Sequence, residues 1–121
     1  MLHSPARWKE PMTDALIVFT TFANQDDAAR VVRALVDERL AACGNILPGA
    51  RSIYRWEQGV QDEREVVVLL KTRKQDWATL MSRLYELHPY KTPECVAVRI
   101  AAGAPAYMEW LESALAPEGS A

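Results

Sequence analysis

Two side chains of this sequence, Cys43 and His88, are of the types that bind soft metal ions. A thiolate suits Cu(I), whereas an imidazole suits Cu(II) or Zn(II), so the two are candidate ligands for copper or another divalent cation. Neither cysteine of the chain belongs to a CxxC pattern. Cysteine is also among the most often buried residue types, and a histidine at a helix C terminus interacts favourably with the helix dipole. The alternatives to a metal site are therefore a buried core position for Cys43 and a helix-terminal position for His88, with no role in metal binding for either.

A second set of residues could line a pocket for a small anionic ligand. Two aromatic residues lie two positions apart on one face of a predicted strand, and a lysine ends the neighbouring strand. Three further polar residues fall together at a helix-to-strand junction, where side chains are easily aimed at a cleft. The alternatives are packing of the rings at a subunit interface and an ordinary solvated lysine. The six candidates are Tyr54, Trp56, Lys71, His88, Tyr90 and Glu94.

An enzymatic role would have to use His88 and Glu94 as acid and base, and the sequence offers little else for catalysis. It contains no glycine-rich nucleotide loop, no nucleophile elbow and no HExxH motif. The acidic residues Asp62, Glu63 and Glu65 are expected in a solvated loop. We therefore predict a protein that is not an enzyme and that has no organic cofactor.

Length and charge argue against several other classes. The 121 residues fit one domain, and the formal net charge of −2, with interspersed signs, offers no basic surface for nucleic acid or anionic lipid. The longest apolar runs reach about five residues, against the roughly 20 that span a membrane. Two cysteines without a disulfide framework favour the reducing cytoplasm. We expect a mobile arm over residues 1–13, one domain over 14–116 and a tail over 117–121.

Hydrophobic periodicity predicts four strands and three helices. The first helix begins after Asn24 or Asp26, either of which can cap it, and the second ends at His88 because Pro89 disfavours a helical residue before it. The order β-α-β-β-α-β plus a C-terminal helix is the ferredoxin-like arrangement of the α+β class, with usual strand order 4-1-3-2 and two helices on one face of an antiparallel sheet. The predicted strands are 15–19, 46–56 with a bend at 48–49, a third that follows a turn at 58–59 and is strongest over 66–70, and 95–100; the predicted helices cover 28–36, 77–87 and 105–115.

Two of these strands are apolar on both faces. Residues 16–19 and 66–70 do not alternate between apolar and polar side chains, although a sheet with helices on one face and water on the other should do so. Either the short C-terminal helix covers the second face in part, or another copy of the chain covers it. Self-association is the simpler solution, because most soluble oligomers are symmetric homo-oligomers.

Six ordered segments give the chain a resemblance to the CutA divalent-cation tolerance family. One such segment alone would mean little, but here they follow the family's order and spacing over about residues 15 to 115. The segments are LAAC at 40–43, NILPG at 45–49, SIYRW at 52–56, LKT at 70–72, HPY at 88–90 with TPE at 92–94, and PAY at 105–107 before Trp110.

The resemblance implies a ferredoxin-like protomer, a tight homotrimer similar in architecture to PII-type signalling proteins, and a link to tolerance of copper and other divalent cations. It also implies that cysteine and histidine are the copper ligands. Some relatives have further cysteines where this chain has Thr20 and Arg83. A site left with Cys43 and His88 is short of ligands unless neighbouring chains contribute, so weak copper binding is expected.

The leading hypothesis is therefore a non-enzymatic homotrimer that takes part in copper tolerance. The alternative is a PII-like signalling or sensory trimer that binds a small anionic ligand in clefts between subunits. Nucleic acid and membranes are not expected partners.

Overall fold

In a computed structural model of the chain, residues 13–117 are described, and they form a four-stranded sheet with helices on both sides. The predicted arm and tail lie outside the described residues, except for residues 13 and 117. None of the helices within 13–117 has the length and apolarity needed to cross a membrane. The elements are β1 (Ala15–Phe22), α1 (Gln25–Asp37), β2 (Cys43–Trp56), β3 (Gly59–Arg73), a 3-10 turn (Lys74–Asp76), α2 (Trp77–Leu87), β4 (Val96–Arg99) and α3 (Pro105–Leu115).

The sheet has the strand order β2-β3-β1-β4, and every neighbouring pair is antiparallel. Both the predicted element order and the predicted strand order are confirmed.

The prediction of a solvated loop at Asp62, Glu63 and Glu65 is wrong, because these residues lie in β3 and pair with β2. The turn before them is short, and Gly59 supplies its backbone φ of 112°, so the two strands stay in register along this whole stretch.

Local chemistry fixes both ends of α1. Asn24 is the cap, since its side-chain Oδ1 accepts a hydrogen bond from the backbone N–H of Asp27 at 2.8 Å. Beyond the C terminus, Arg39 adopts the left-handed conformation with a φ of 59°, which is uncommon for a residue with a Cβ. Its Nη1 donates to the carbonyl oxygen of Ala114 at 3.0 Å, so the end of α1 is tied to α3.

One face of the sheet, the helix face, packs against α1 and α2. The alternate residues of β1 and β3 that point this way are fully buried, as are the apolar sides of both helices. This cluster is the main core of the protein, and its members include Val18, Phe22, Val68, Leu70, Val31, Leu35, Leu80 and Leu84.

Within residues 13–117, the opposite face, here called the open face, is covered only at one end. There α3 packs Leu111 and Leu115 against Ala15 and Ala42. Most of the remaining side chains on this face are apolar and partly or largely exposed; Val96 and Val98 of β4, for example, keep 54% and 49% of their surface accessible. The C-terminal helix is thus a partial cover. The uncovered residues of the open face are Ile17, Phe19, Leu47, Val67, Leu69, Val96 and Val98.

The β2–β3 hairpin continues beyond the sheet. A bulge between Leu47 and Ala50, with Gly49 at a φ of 88°, bends β2 where the sequence predicted a bend. Past the bulge, residues 50–56 and 59–65 pair with each other, and no third strand in the described part of the chain pairs with them. This two-stranded extension is called the ribbon below.

Candidate functional site

The first group of candidate residues lies at the end of the open face that α3 partly covers. Cys43 begins β2 and lies directly opposite Lys71 of β3, so the two side chains share this face. Lys71 Nζ donates to the hydroxyl of Tyr107 at 3.2 Å and lies 5.5 Å from the centre of the same ring. The hydrogen bond with Tyr107 is the main cause of a raised pKa of the Lys71 ammonium. A half-buried thiol therefore lies beside a firmly protonated lysine.

His88 occupies a different environment, at the end of α2. Its ring is 7% exposed and stacks on Phe22, with ring centres 4.2 Å apart. The backbone N–H of Tyr90 donates to Nδ1 at 3.0 Å, so Nε2 carries the proton and donates to the carbonyl oxygen of Thr21 at 2.8 Å. Burial lowers the pKa of His88, which favours this neutral form. Both ring nitrogens are occupied, and neither offers a lone pair to a metal ion.

The two proposed metal ligands are far apart within one protomer. Cys43 lies opposite Lys71, whereas Thr21, which contacts His88, lies opposite Val67, four residues away on the same strand. At about 3.3 Å per residue, this offset separates Cys43 from His88 by roughly 13 Å along the strand direction alone. Between residues 13 and 117, no three histidine, cysteine, aspartate or glutamate side chains cluster closely enough to hold a metal ion. The pair does not form a copper site within a single chain.

The aromatic candidates collect at the other end of the open face, at the ribbon. Tyr54 Oη donates to Glu63 Oε1 at 2.6 Å, and Tyr90 Oη donates to Glu65 Oε2 at 3.2 Å. The hydrogen bond with Glu63 raises the pKa of Tyr54. Burial, followed by the charge of Glu65, raises the pKa of Tyr90 to about 12. Trp56 extends from the same face and is 53% exposed.

The six residues proposed for a ligand cleft between subunits do not all meet within one protomer. His88 and Tyr90 are neighbours, with ring centres 4.8 Å apart. Tyr54 is close enough to Tyr90 to contribute, after burial and the glutamates, to the raised pKa of Tyr90. Lys71 lies at the opposite end of β3. Glu94 is exposed; its charge helps to raise the pKa of the Cys95 thiol, for which burial is the larger cause.

Glu63, Glu65 and Tyr107 were not among the candidate site residues predicted from the sequence, and the two glutamates were assigned to a solvated loop. The two glutamates are the residues to which Tyr54 and Tyr90 donate, and Tyr107 holds Lys71 in place. The spacing of Glu63 and Glu65 was the available signal, since residues two apart on a strand share a face. No local pattern reveals Tyr107, because it comes from α3 and meets Lys71 only after folding.

Comparisons with known proteins agree with the fold. The sequence profile described as CutA1 divalent ion tolerance protein matches residues 16–114. The divalent-cation tolerance protein CutA of Thermus thermophilus is 44% identical over 95 residues, which are 78% of this chain and 92% of that protein. The chloroplastic protein CutA of Arabidopsis thaliana is 35% identical over 99 residues, covering 82% of this chain and 54% of the relative. The crystal structure of CutA from Xylella fastidiosa superposes with a TM-score of 0.83 at 38% identity, covering 86% of this chain and all of that one.

Proposed function

The chain belongs to the CutA1 divalent ion tolerance family, and we propose that it acts in tolerance of divalent cations, copper in particular, as a non-enzymatic homotrimer. The observation that carries the proposal is the match over residues 16–114, which takes in the sheet, the helices and every candidate residue described above. The family is named for tolerance to divalent ions and not for a reaction.

The open face supports the self-association. Valine and leucine side chains on it gain roughly 1.5–3 kcal/mol each when they are fully buried, and α3 leaves at least five such side chains partly or largely exposed. A partner of the same kind can cover them, because a second copy presents the same apolar surface. Three copies is the number implied by the resemblance to the family.

Cys43 is the residue that we propose as the copper ligand. Its side chain is half-buried on the open face, directly opposite Lys71, and sulfur is the ligand type that suits Cu(I). The other ligands have to come from elsewhere, since His88 is fully hydrogen-bonded. A site that is completed only between subunits and that lacks further cysteines is expected to bind weakly.

Competition titration of the assembled protein with Cu(I) and a colorimetric chelator tests this proposal. We expect Cu(I) binding that is lost in Cys43→Ser and retained in Cys95→Ser, because Cys95 packs against the main core. A growth test in copper-containing medium, in a strain deprived of its own copy of the gene, tests the physiological role. Unchanged copper binding in Cys43→Ser would exclude this ligand, and unchanged copper sensitivity without the gene would exclude the role.

We further propose that the protein works in the cytoplasm. Cys43 leads into one edge strand, Cys95 precedes the other, and both thiols are free. Such unpaired thiols fit a reducing compartment. Cell fractionation with an antibody against the protein tests this, and recovery from the periplasm or an organelle would contradict it.

A further inference from the structure

The imidazole of His88 connects the chain beyond α2 to β1. Its Nε2–H donates to the carbonyl oxygen of Thr21 at 2.8 Å, and its Nδ1 accepts from the backbone N–H of Tyr90 at 3.0 Å. The ring is buried, and one of its faces stacks on Phe22. One ring nitrogen thus serves as a donor and the other as an acceptor, and only the neutral ring can fill both roles.

The segment 89–93 depends on this ring. It forms no helix or strand, and its two prolines have no backbone N–H to donate. Within residues 13–117, its hydrogen bonds are the two made by Tyr90, whose N–H donates to His88 and whose hydroxyl donates to Glu65 Oε2 at 3.2 Å. The main core takes no residue from this segment. The imidazole therefore supplies the only backbone hydrogen bond that fixes the position of the segment.

A second proton on the imidazole would break that bond. Protonation converts Nδ1 from an acceptor into a donor, so its N–H and the backbone N–H of Tyr90 would face each other at the 3.0 Å now spanned by the hydrogen bond. Turning the ring does not relieve the conflict, because the bond to Thr21 and the stacking on Phe22 would then be lost as well. The backbone N–H of Tyr90 has to leave and find water.

Charged groups on the neighbouring elements determine when the second proton binds. Burial is the largest influence and lowers the pKa of His88, whereas the hydrogen bond to Thr21 raises it. Asp27 of α1 and Glu65 of β3 also raise this pKa, and Arg30 of α1 lowers it. The neutral ring is therefore the form at neutral pH, and it is lost as the pH falls through the pKa of His88 in the folded protein.

We propose that His88 is a pH-sensitive switch whose protonation releases Tyr90 and opens the segment 89–93 while the helices and the sheet stay folded. The opening also takes the hydroxyl of Tyr90 away from Glu65, so the base of the ribbon loses its contact with the segment. This inference goes beyond the proposed role in cation tolerance and does not rest on it.

Amide hydrogen exchange of the full chain tests the switch, with rates corrected for the intrinsic effect of pH. The amide of Tyr90 should lose protection by about tenfold for each pH unit below the pKa of His88 in the folded protein, which is the slope that one proton gives. Amides of the core, such as those of Val18 and Leu84, should keep their protection over the same range. The NMR shifts of the His88 ring nitrogens should change with the same midpoint.

Two substitutions should move this midpoint in opposite directions. Glu65→Gln removes a charge that favours the protonated ring, so the opening should shift to lower pH. Arg30→Gln removes a charge that opposes it, so the opening should shift to higher pH. Arg83→Gln is the matched control, because this arginine of α2 pairs with Glu38 and is not among the charges that act on His88. It should leave the midpoint unchanged.

His88→Asn provides a chain that cannot switch. Its amide oxygen can take the place of Nδ1 as the acceptor for the backbone N–H of Tyr90, and it does not titrate in this range. The amide of Tyr90 should then be protected equally at all pH values between about 7 and 4.5. Three results would overturn the proposal: protection of Tyr90 in wild type that does not change over this range, loss of protection throughout the core at the same pH, or shifts of the Glu65 and Arg30 variants in the same direction.

Discussion

Arg73 of β3 and Glu112 of α3 form an ion pair, with Nη1 2.8 Å from Oε1. The same guanidinium binds Asp76 through Nε at 2.7 Å, and its side chain is only 10% exposed. Arg73 thereby connects the strand that carries Lys71 to the helix that carries Tyr107. The C-terminal helix is held on the open face by this charged contact as well as by Leu111 and Leu115.

Replacing Arg73 by methionine should lower the free energy of unfolding by about 2–4 kcal/mol, because a largely buried cation is removed and its carboxylate partners are left behind. Arg83→Met is the matched control. Arg83 binds both carboxylate oxygens of Glu38, but at the surface, where solvent screens the charges, so Arg83→Met should lose much less stability than Arg73→Met. Urea denaturation at one fixed protein concentration measures both, and equal losses would show that burial of Arg73 is unimportant.

His88 should make stability depend on pH. Burial lowers its pKa in the folded state, so the unfolded chain binds the proton more readily. The stabilisation is present above the unfolded pKa of about 6.5 and is lost as the pH falls through the folded pKa. Asp27 and Glu65 favour the charged ring and Arg30 opposes it. Between pH 7 and 5, wild type should lose stability more steeply than His88→Gln; parallel curves would contradict this.

The copper titration can be repeated with His88→Gln to test whether His88 is a metal ligand. Both ring nitrogens already form hydrogen bonds, so we expect the affinity for Cu(I) and Cu(II) to remain within about twofold of wild type. Circular dichroism checks that the variant is folded. A large loss of affinity in a folded variant would mean that the ring leaves Thr21 and Phe22 to bind metal.

Gly44 should be needed for the position of Cys43. A Cβ at residue 44 would lie 2.6 Å from Cγ1 of Val32 and 3.0 Å from Cδ2 of Leu70, both on well-packed elements. Gly44→Ala should therefore lower stability by about 1–3 kcal/mol. Gly103→Ala is the comparison, because its Cβ would meet the flexible side chain of Met108, which can move aside at lower cost. Thermal unfolding of the two variants measures the difference, and equal shifts would contradict it.

Most of the fold could be predicted from the sequence because its signals are local. The cap at Asn24, the stop before Pro89 and the turn at Gly59 each act within a few residues, and all three lie where they were expected. The solvated loop predicted at Asp62, Glu63 and Glu65 was wrong, because a charged stretch resembles a loop when it is read alone. Pairing with β2 across the hairpin makes it a strand.

The candidate site was harder to predict, since it depends on contacts between distant segments. Cys43 and His88 looked compatible by residue type, but β3 separates them along its length. His88 looked accessible at a helix end, yet the neighbouring Phe22 and Thr21 bury it and bind it. Residue type indicates which chemistry is available, whereas topology decides which groups meet.

A lysine in the apolar stretch of β3 should have different effects on the two faces of the sheet. Val66 and Val68 are buried under the helices, but Val67 is on the open face and only partly buried. Val68→Lys should prevent folding, because it buries an unpaired charge. Val67→Lys should leave the protomer folded and disrupt only its association.

Sedimentation velocity at submicromolar concentration, with circular dichroism on the same samples, tests the self-assembly most directly. Wild type should sediment as a folded trimer, Val67→Lys as a folded monomer, and Val68→Lys as unfolded or aggregated chain. A wild-type protein that is folded and monomeric at this concentration would contradict the assembly, and with it the copper site completed between subunits.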